Sequence, residues 1–369
     1  MNRLFGWKQT GLFLLALAAG ILPFAVPEVC AAALREGLTL CSGPLLLSLF
    51  PFLVVSRLLV QCPESDLLAL PFRLAAWGIG IRTPCAARVL CIGFLGGFAP
   101  AASAAAQAVR TGQLTVEEAD ALLPACICSG PSFVVLTVGQ SLLGSAELGV
   151  LLFASQITAN YLTAALLNRF AGVRSAKPGS AVPAFPAPPR LDEILADAAI
   201  TYCKLCGFIL FFRMLAAGAG ALLPAGAGTL CAILLEVCSG CDLASRTGQW
   251  GSLLCCAALS VQGLSVLLQV RTICPPEMTL RPLYRSRLLH LPLSLALFYL
   301  LLPGGETDVF STLPARVLLM RRVPPDCALL VFAVCCMAAC TLRSGIRQVE
   351  QKQMARNAGG CCINSKTLL

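Results

Sequence analysis

The sequence predicts an all-α polytopic membrane protein. It should hold roughly eight transmembrane helices plus two re-entrant or broken segments, in two inverted-repeat halves. Three observations predict this. First, 57% of the 369 residues are hydrophobic and 12% are charged, with a mean hydropathy of +0.82. Soluble domains run at about 25% charged, so this chain lacks the polar surface to cover itself and needs lipid. Second, apolar runs long enough to cross a bilayer, such as 38–60 and 146–167, recur from end to end. No alternating pattern points to a membrane barrel, which leaves helices as the spanning structure. Third, Gly-interrupted apolar segments stand at corresponding places in the two halves.

Taken in order, residues 1–36 form an N-terminal, signal-anchor-like span. Arg3 and Lys8 precede the apolar run 11–26, and Ala31–Ala33 supply small residues as at a signal-peptide cleavage site. An uncleaved span is preferred because the rest of the chain is membrane-like. Residues 37–168 form the first half. The run 38–60 reads as a span. In 64–90, Arg73, Arg82 and Arg88 interleave with apolar residues, which fits an amphipathic interfacial stretch.

Residues 91–110, CIGFLGGFAPAASAAAQAVR, are nearly all small after Phe98. Gly93 and Gly97 have the spacing that lets helices approach closely. The stretch reads either as a tightly packed helix or as a re-entrant hairpin turning at 96–100. Thr115 with Glu118 has capping-box spacing and starts a short helix. Residues 124–143 and 146–168 read as two further spans. Residues 169–190, rich in Pro, Ala and basic residues, form an extended cytoplasmic linker.

Residues 191–342 form the second half. A helix restarts at 191–198, and 199–223 is a span. The Gly-interrupted stretch 226–243 follows, then 250–270 with Gln262, Gly263, Ser265 and Gln269. Shorter apolar runs lie at 288–303 and 326–342, before a basic cytoplasmic tail, 343–369.

The net charge of +9 does not indicate nucleic acid. The basic residues sit between apolar runs, as in the cluster Arg281, Arg285 and Arg287, and follow the excess of Lys and Arg in cytoplasmic loops. Arg316, Arg321 and Arg322 fall on the outer face under this topology and do not fit it. Of the 21 cysteines, many occupy positions where Ala or Ser would serve, so they pack as small hydrophobes. Cys203/Cys206 and Cys238/Cys241 have CxxC spacing, but four ligands in a matching arrangement are lacking and packing is preferred to a metal. His290, the only histidine, stands in a basic stretch. No Ser/His/Asp set and no P-loop is present, so neither an enzyme nor a cofactor is expected.

The chemistry concentrates at the breaks. Ser129–Gly130–Pro131 interrupts an apolar segment, and Pro131 lacks a backbone N–H. A break in lipid exposes main-chain polar groups that a solute can take up, or it is a proline kink sealed by packing. Glu236 is an acid within an apolar run, a functional candidate by default, and Ser239 and Gly240 follow it as Ser129 and Gly130 stand in the first half. It serves a solute or a coupling Na+ or H+, or it bonds a neighbouring broken backbone. Ser265 and Gln269 share a helix face and are cavity candidates. Gln140, Gln156, Asn160 and Gln262 rank below them. Arg213 either pairs with Glu236 or reaches toward an interface.

Three stretches resemble a known family: GFLGGFAPAASAAAQAVRTGQLTVEEADALL at 93–123, CSGPSFVVLTVGQSLLGSAELGVLLFASQ at 128–156, and LLEVCSGC with LSVQGLSVLLQV at 234–241 and 259–270. Together they are similar to the sporulation integral membrane protein YlbJ family, whose members carry the nucleoside-recognition Gate domain. The resemblance implies a multi-pass inner-membrane protein of an endospore-forming bacterium, needed for spore cortex formation. It also implies kinship with the Gate domains of nucleoside transporters and ferrous iron permeases. The positions it carries over are Gly97, Pro100, Ser129, Pro131, Phe133, Glu236, Gly240, Gly263 and Gln269. Ala99 separates Phe98 from Pro100, where the family places Pro directly. Two functions follow as expectations: a carrier of a small polar solute working by alternating access, or a scaffold that recruits sporulation factors. The expected partners are the lipid bilayer and that solute, and homo-oligomerisation stays open.

Overall fold

A computed structural model of the chain describes residues 2–172 and 190–302. Most of the linker, the run 326–342, Arg316, Arg321, Arg322 and the tail lie outside the described residues. Among the described residues every regular element is helical.

α1 (Asn2–Ala25) and α2 (Pro27–Ser42) meet at Val26, where the chain turns by 109°. Pro27 opens α2 and has no N–H with which to continue α1. α3 (Pro44–Gln61) restarts in the same way after Gly43. The predicted single span 38–60 is therefore two helices, and α2 runs across the expected boundary at 36/37.

α4 (Leu70–Gly78) and α5 (Pro84–Gly96) replace the predicted interfacial stretch 64–90. α5 belongs to the core, being buried from Cys85 through Gly93. Its Arg88 is ion-paired with Asp66 and donates to the Val60 carbonyl, so this arginine belongs to an internal pair and not to an exposed polar face. α6 (Phe98–Arg110) follows a turn at Gly97.

α7 (Val116–Cys126) opens on the predicted capping box. Glu118 N–H donates to Thr115 Oγ1 at 3.1 Å, and Thr115 N–H to Glu118 Oε2 at 3.2 Å. A π-helix (Ser132–Leu142) and α8 (Ala146–Ala171) complete the first half, with Ser145 capping α8 through the Leu148 N–H.

α9 (Leu191–Leu222) is one continuous helix and includes both the predicted restart at 191 and the predicted span. α10 (Ala225–Leu235) and α11 (Val237–Ser245) meet at Glu236. α12 (Gly251–Val261) and α13 (Gly263–Ile273) meet at Gln262. α14 (Arg281–Leu301) ends the described chain.

Three described stretches are long and apolar enough to cross a membrane: Ala146–Ala171, Leu191–Leu222 and Gly248–Ile273, with mean hydropathies of 1.5, 1.9 and 1.9. The bent pair Phe13–Ala25 with Pro27–Ser42 makes a fourth if it counts as one span. The expected eight are not reached among the described residues. The physical reason is fragmentation. Pro84–Gly96, Ser132–Leu142 and Ala225–Leu235 are apolar but short, and 11 to 13 helical residues reach only about 17–20 Å of a hydrocarbon core about 30 Å thick.

The main hydrophobic core runs from the end of α3 to α14. Two smaller cores flank α9, one formed with α1 and α2 around Phe212, the other with α3 and α6 around Leu53 and Leu205. A polar tie joins α7 to the entrance of α14. Buried Asp120 of α7 accepts from Thr279 N–H (2.9 Å), Thr279 Oγ1 (2.6 Å) and Leu280 N–H (3.2 Å). It thereby holds the turn that enters α14, where Leu280 adopts a left-handed conformation.

Asp120→Ala leaves the buried Leu280 N–H unpaired and should lower stability by about 1–3 kcal/mol, with Asp120→Asn intermediate. Thermal unfolding in detergent measures this, and an unchanged midpoint for the alanine variant would remove the tie from the account.

Candidate functional site

The site is built from two interruptions, each covered by a glycine turn from another helix. In the first half, α7 stops at Cys126 and residues 127–130 run non-helical into the π-helix. The predicted span 124–143 is thus broken at the Ser129–Gly130–Pro131 stretch. Covering it is Gly97, at φ 79° and ψ −163°, a region essentially confined to glycine. A Cβ on Gly97 would stand 2.7 Å from Gly130 N and 3.2 Å from the Cys128 carbonyl oxygen. The turn predicted for 96–100 is therefore real and centres on Gly97. Pro100, buried in the first turn of α6, packs against Gly96.

The second half repeats the device with exchanged order. The break between α10 and α11 is at Glu236, whose backbone is extended (φ −152°, ψ 127°). Covering it is the α12–α13 turn, where both Gln262 (φ 62°) and Gly263 (φ 70°) are left-handed. A Cβ on Gly263 would lie 2.9 Å from Glu236 N and from the Leu235 carbonyl.

Glu236 is 2% exposed, and its two carboxylate oxygens accept from Cys238 N–H (2.9 Å) and Ser239 N–H (2.7 Å). It therefore caps α11, where a negative charge suits the positive end of the helix dipole. Arg213 does not pair with it. The guanidinium bonds Glu36 of α2 at 2.6 Å.

The two breaks face one small cleft of about 60 Å³, lined by Gly97, Ser129, Gly130, Glu236, Cys238 and Gln269 among apolar side chains that include Phe133. Five of the predicted binding residues thus come together: Gly97, Ser129, Gly130, Glu236 and Gln269. Three do not line it. Ser239 contributes only its N–H to the Glu236 cap. Gly240 lies against the Ile233 backbone, where a Cβ would meet Ile233 Cα at 2.8 Å, so it permits α10–α11 packing. Ser265, fully buried, accepts from Gln269 Nε2 at 2.9 Å and stands behind the wall. The echo of Ser129–Gly130 by Ser239–Gly240 misleads because helix α11 rotates the second pair away. Pro131 sits at the start of the π-helix and Gly263 at the α12–α13 turn, whereas Pro100, also expected at a break, lies inside the first turn of α6.

A buried polar network behind the first break was not legible as such. Arg287, placed by sequence in a basic loop cluster, is 8% exposed. It donates to Asn160 Oδ1 (3.3 Å) and the Ser260 carbonyl (3.4 Å), and has no ion pair among the described residues. Asn160 and Gln262 in turn donate to the Ile127 carbonyl, the acceptor left at the end of α7, at 3.5 and 3.4 Å. His290, fully buried, meets the Gln156 carbonyl at 3.2 Å, and Gln156 donates to Ser260 Oγ at 3.0 Å. The available signal was periodicity: Leu283, Arg287, His290, Ser294 and Phe298 recur every three or four residues on one face of α14.

Gln140 is exposed. Among the described residues no group of three or more His, Cys, Asp or Glu could hold a metal ion, and Cys203, Cys206, Cys238 and Cys241 are free thiols. No family model, curated protein or solved structure matches the chain.

Gly97→Ala and Gly263→Ala each combine a forbidden conformation with a backbone collision and should each cost more than about 1–3 kcal/mol. Gly226→Ala in α10 meets open space and should be neutral or stabilising by up to about 1 kcal/mol. Melting temperatures of the three variants check this. Equal behaviour of all three would show that the turns do not pack as described.

Proposed function

We propose that this protein is a membrane carrier of a small polar solute, held where the two helix breaks meet and released by alternating opening of the cleft. One observation carries the reading: Ser129–Gly130 and Glu236, about a hundred residues apart in the chain, line the same partly apolar cleft. Helix breaks are costly in lipid and persist where protein or a water-filled cavity covers them. Half-helix ends around a cavity at mid-membrane are the arrangement that secondary transporters use to hold solutes and coupling ions such as Na+ or H+. The inverted-repeat arrangement belongs to the same proposal and is supported by the paired glycine turns at 97 and 263. A bacterial inner membrane, sporulation and spore cortex formation rest on the motif resemblance at 93–123, 128–156, 234–241 and 259–270 alone.

The competing reading is a scaffold without transport. The Glu236 cap favours it, because both carboxylate oxygens already have internal partners. Glu236→Gln separates the two. The amide keeps one oxygen acceptor for α11 and removes the charge.

Purified protein is screened by thermal shift against nucleosides, cell-wall precursors and metal ions. A ligand at a hundred times its Kd stabilises the folded state by about 2.7 kcal/mol. The carrier reading expects at least one class to raise the wild-type midpoint. It further expects Glu236→Gln to lose that response while Glu36→Gln keeps it. A full response by Glu236→Gln rejects the assignment, and a scaffold predicts normal spore yield from that variant.

A further inference from the structure

A second cleft, of about 160 Å³, is lined by Arg57, Arg110, Asp197, Lys204, Gln269 and Thr272 among others. Its relation to the first is ordered along four helices. On α3, Arg57 lines the second cleft, and Leu49 and Leu45 line the first. On α6 the residues are Arg110 and Ser103, then Phe98. On α9 they run from Asp197 to Phe208, then Ile209. On α13 they are Thr272, then Val266. The six residues from Thr272 to Val266 correspond to about 9 Å along the helix. The clefts are therefore stacked end to end.

Among the described residues, Gln269 alone lines both. Its side chain is 2% exposed. Its Nε2 is committed to Ser265, while its Oε1 has no hydrogen-bond partner among the described residues. A buried amide oxygen left unpaired costs about 1–3 kcal/mol, so its position at the shared wall calls for a donor that comes and goes.

We propose that the two clefts are successive chambers of one passage and that Gln269 is the gate between them. Its Oε1 accepts a hydrogen bond from each hydroxyl, amide N–H or water that passes. The outer chamber sets the electrostatics. Arg57 is ion-paired with Asp197, which leaves Arg110 and Lys204 without an ion pair among the described residues, so the field there is positive. The gate rests on the carrier reading for its purpose but not for its geometry.

Cys238 lines the inner chamber and is a free thiol. That makes it a native reporter. The full-length protein in membrane vesicles is treated with a small, charged, impermeant thiosulfonate on the face that bears Arg110 and Lys204. Labelling of the Cys238 peptide is then followed by mass spectrometry. Exposed Cys203 on α9 is the internal control.

Gln269→Ala should speed Cys238 labelling several-fold and Gln269→Phe should slow it several-fold, with Cys203 unchanged. The anionic reagent should outpace a cationic one of equal size by about tenfold, and the difference should shrink with salt. Equal Cys238 rates in wild type, Gln269→Ala and the milder Gln269→Leu overturn the gate, as does a Cys238 that never reacts. A gated Cys238 together with an unaltered ligand response in Glu236→Gln would sink the carrier assignment and leave the passage standing. The converse result would do the opposite.

Discussion

The interior of this protein depends on covering broken main chain. Two helices stop inside an apolar body, at Cys126 and at Leu235. Each stop frees peptide groups that lipid cannot satisfy. The sequence answers each with a turn from a different helix, pressed so close that only a glycine fits: Gly97 on Gly130, and Gly263 on Glu236. Position, cleft and polarity follow from that contact. Because the turns cover one side of each break, the other side is free to face a cavity.

The polar groups behind the breaks show how the remaining main-chain atoms are held. At the first break, the Ile127 carbonyl takes two amide donors, and Asn160 links it to Arg287. A buried guanidinium served only by neutral acceptors is expensive. It is tolerable near the carbonyl end of α7, which carries partial negative charge. At the second break the freed groups are N–H groups, and a carboxylate meets them. The protein thus places a cation at a helix C-terminus and an anion at a helix N-terminus, and the two breaks differ in chemistry though they share a shape. Sequence alone left Glu236 with two readings, a group for a solute or coupling ion and a carboxylate bonded to a neighbouring broken backbone, and the contacts it makes are of the second kind. Its local partners are Cys238 and Ser239, two and three residues further along the chain.

Much of the plan was legible because it is local. The Thr115–Glu118 cap, the restart at 191, the turn near Gly97 and the interruption at 130 are all written in residues close in sequence, whereas the second break, expected at Ser239–Gly240, lies at Glu236 and Gly240 is inside α11. What failed was non-local. Apolar runs such as 38–60 look continuous to hydropathy, but a single Gly-Pro pair divides that one into α2 and α3. Arg88 reads as an interfacial charge and Arg287 as a loop charge, yet partners far along the chain draw both inside. Ser239–Gly240 matches Ser129–Gly130 as letters, while the helical rotation of α11 aims the second pair elsewhere. Composition reveals that a residue type is unusual in its surroundings, but which side of a helix it occupies depends on what packs there.

The small cores on either side of α9 bear on mechanics. The main core locks α7, α8, α12 and α14 into one slab, pinned by Asp120 to the Thr279–Leu280 turn and by Gln156 to Ser260. α9 attaches through two modest hydrophobic clusters, one shared with α1 and α2 and the other with α3 and α6, and both clefts run along it. Both clefts therefore lie along a seam beside one long helix, and that seam does not coincide with the midpoint of the chain. In the carrier proposed above, opening along this seam takes α9 with α2 as the moving arm against a slab assembled from both halves.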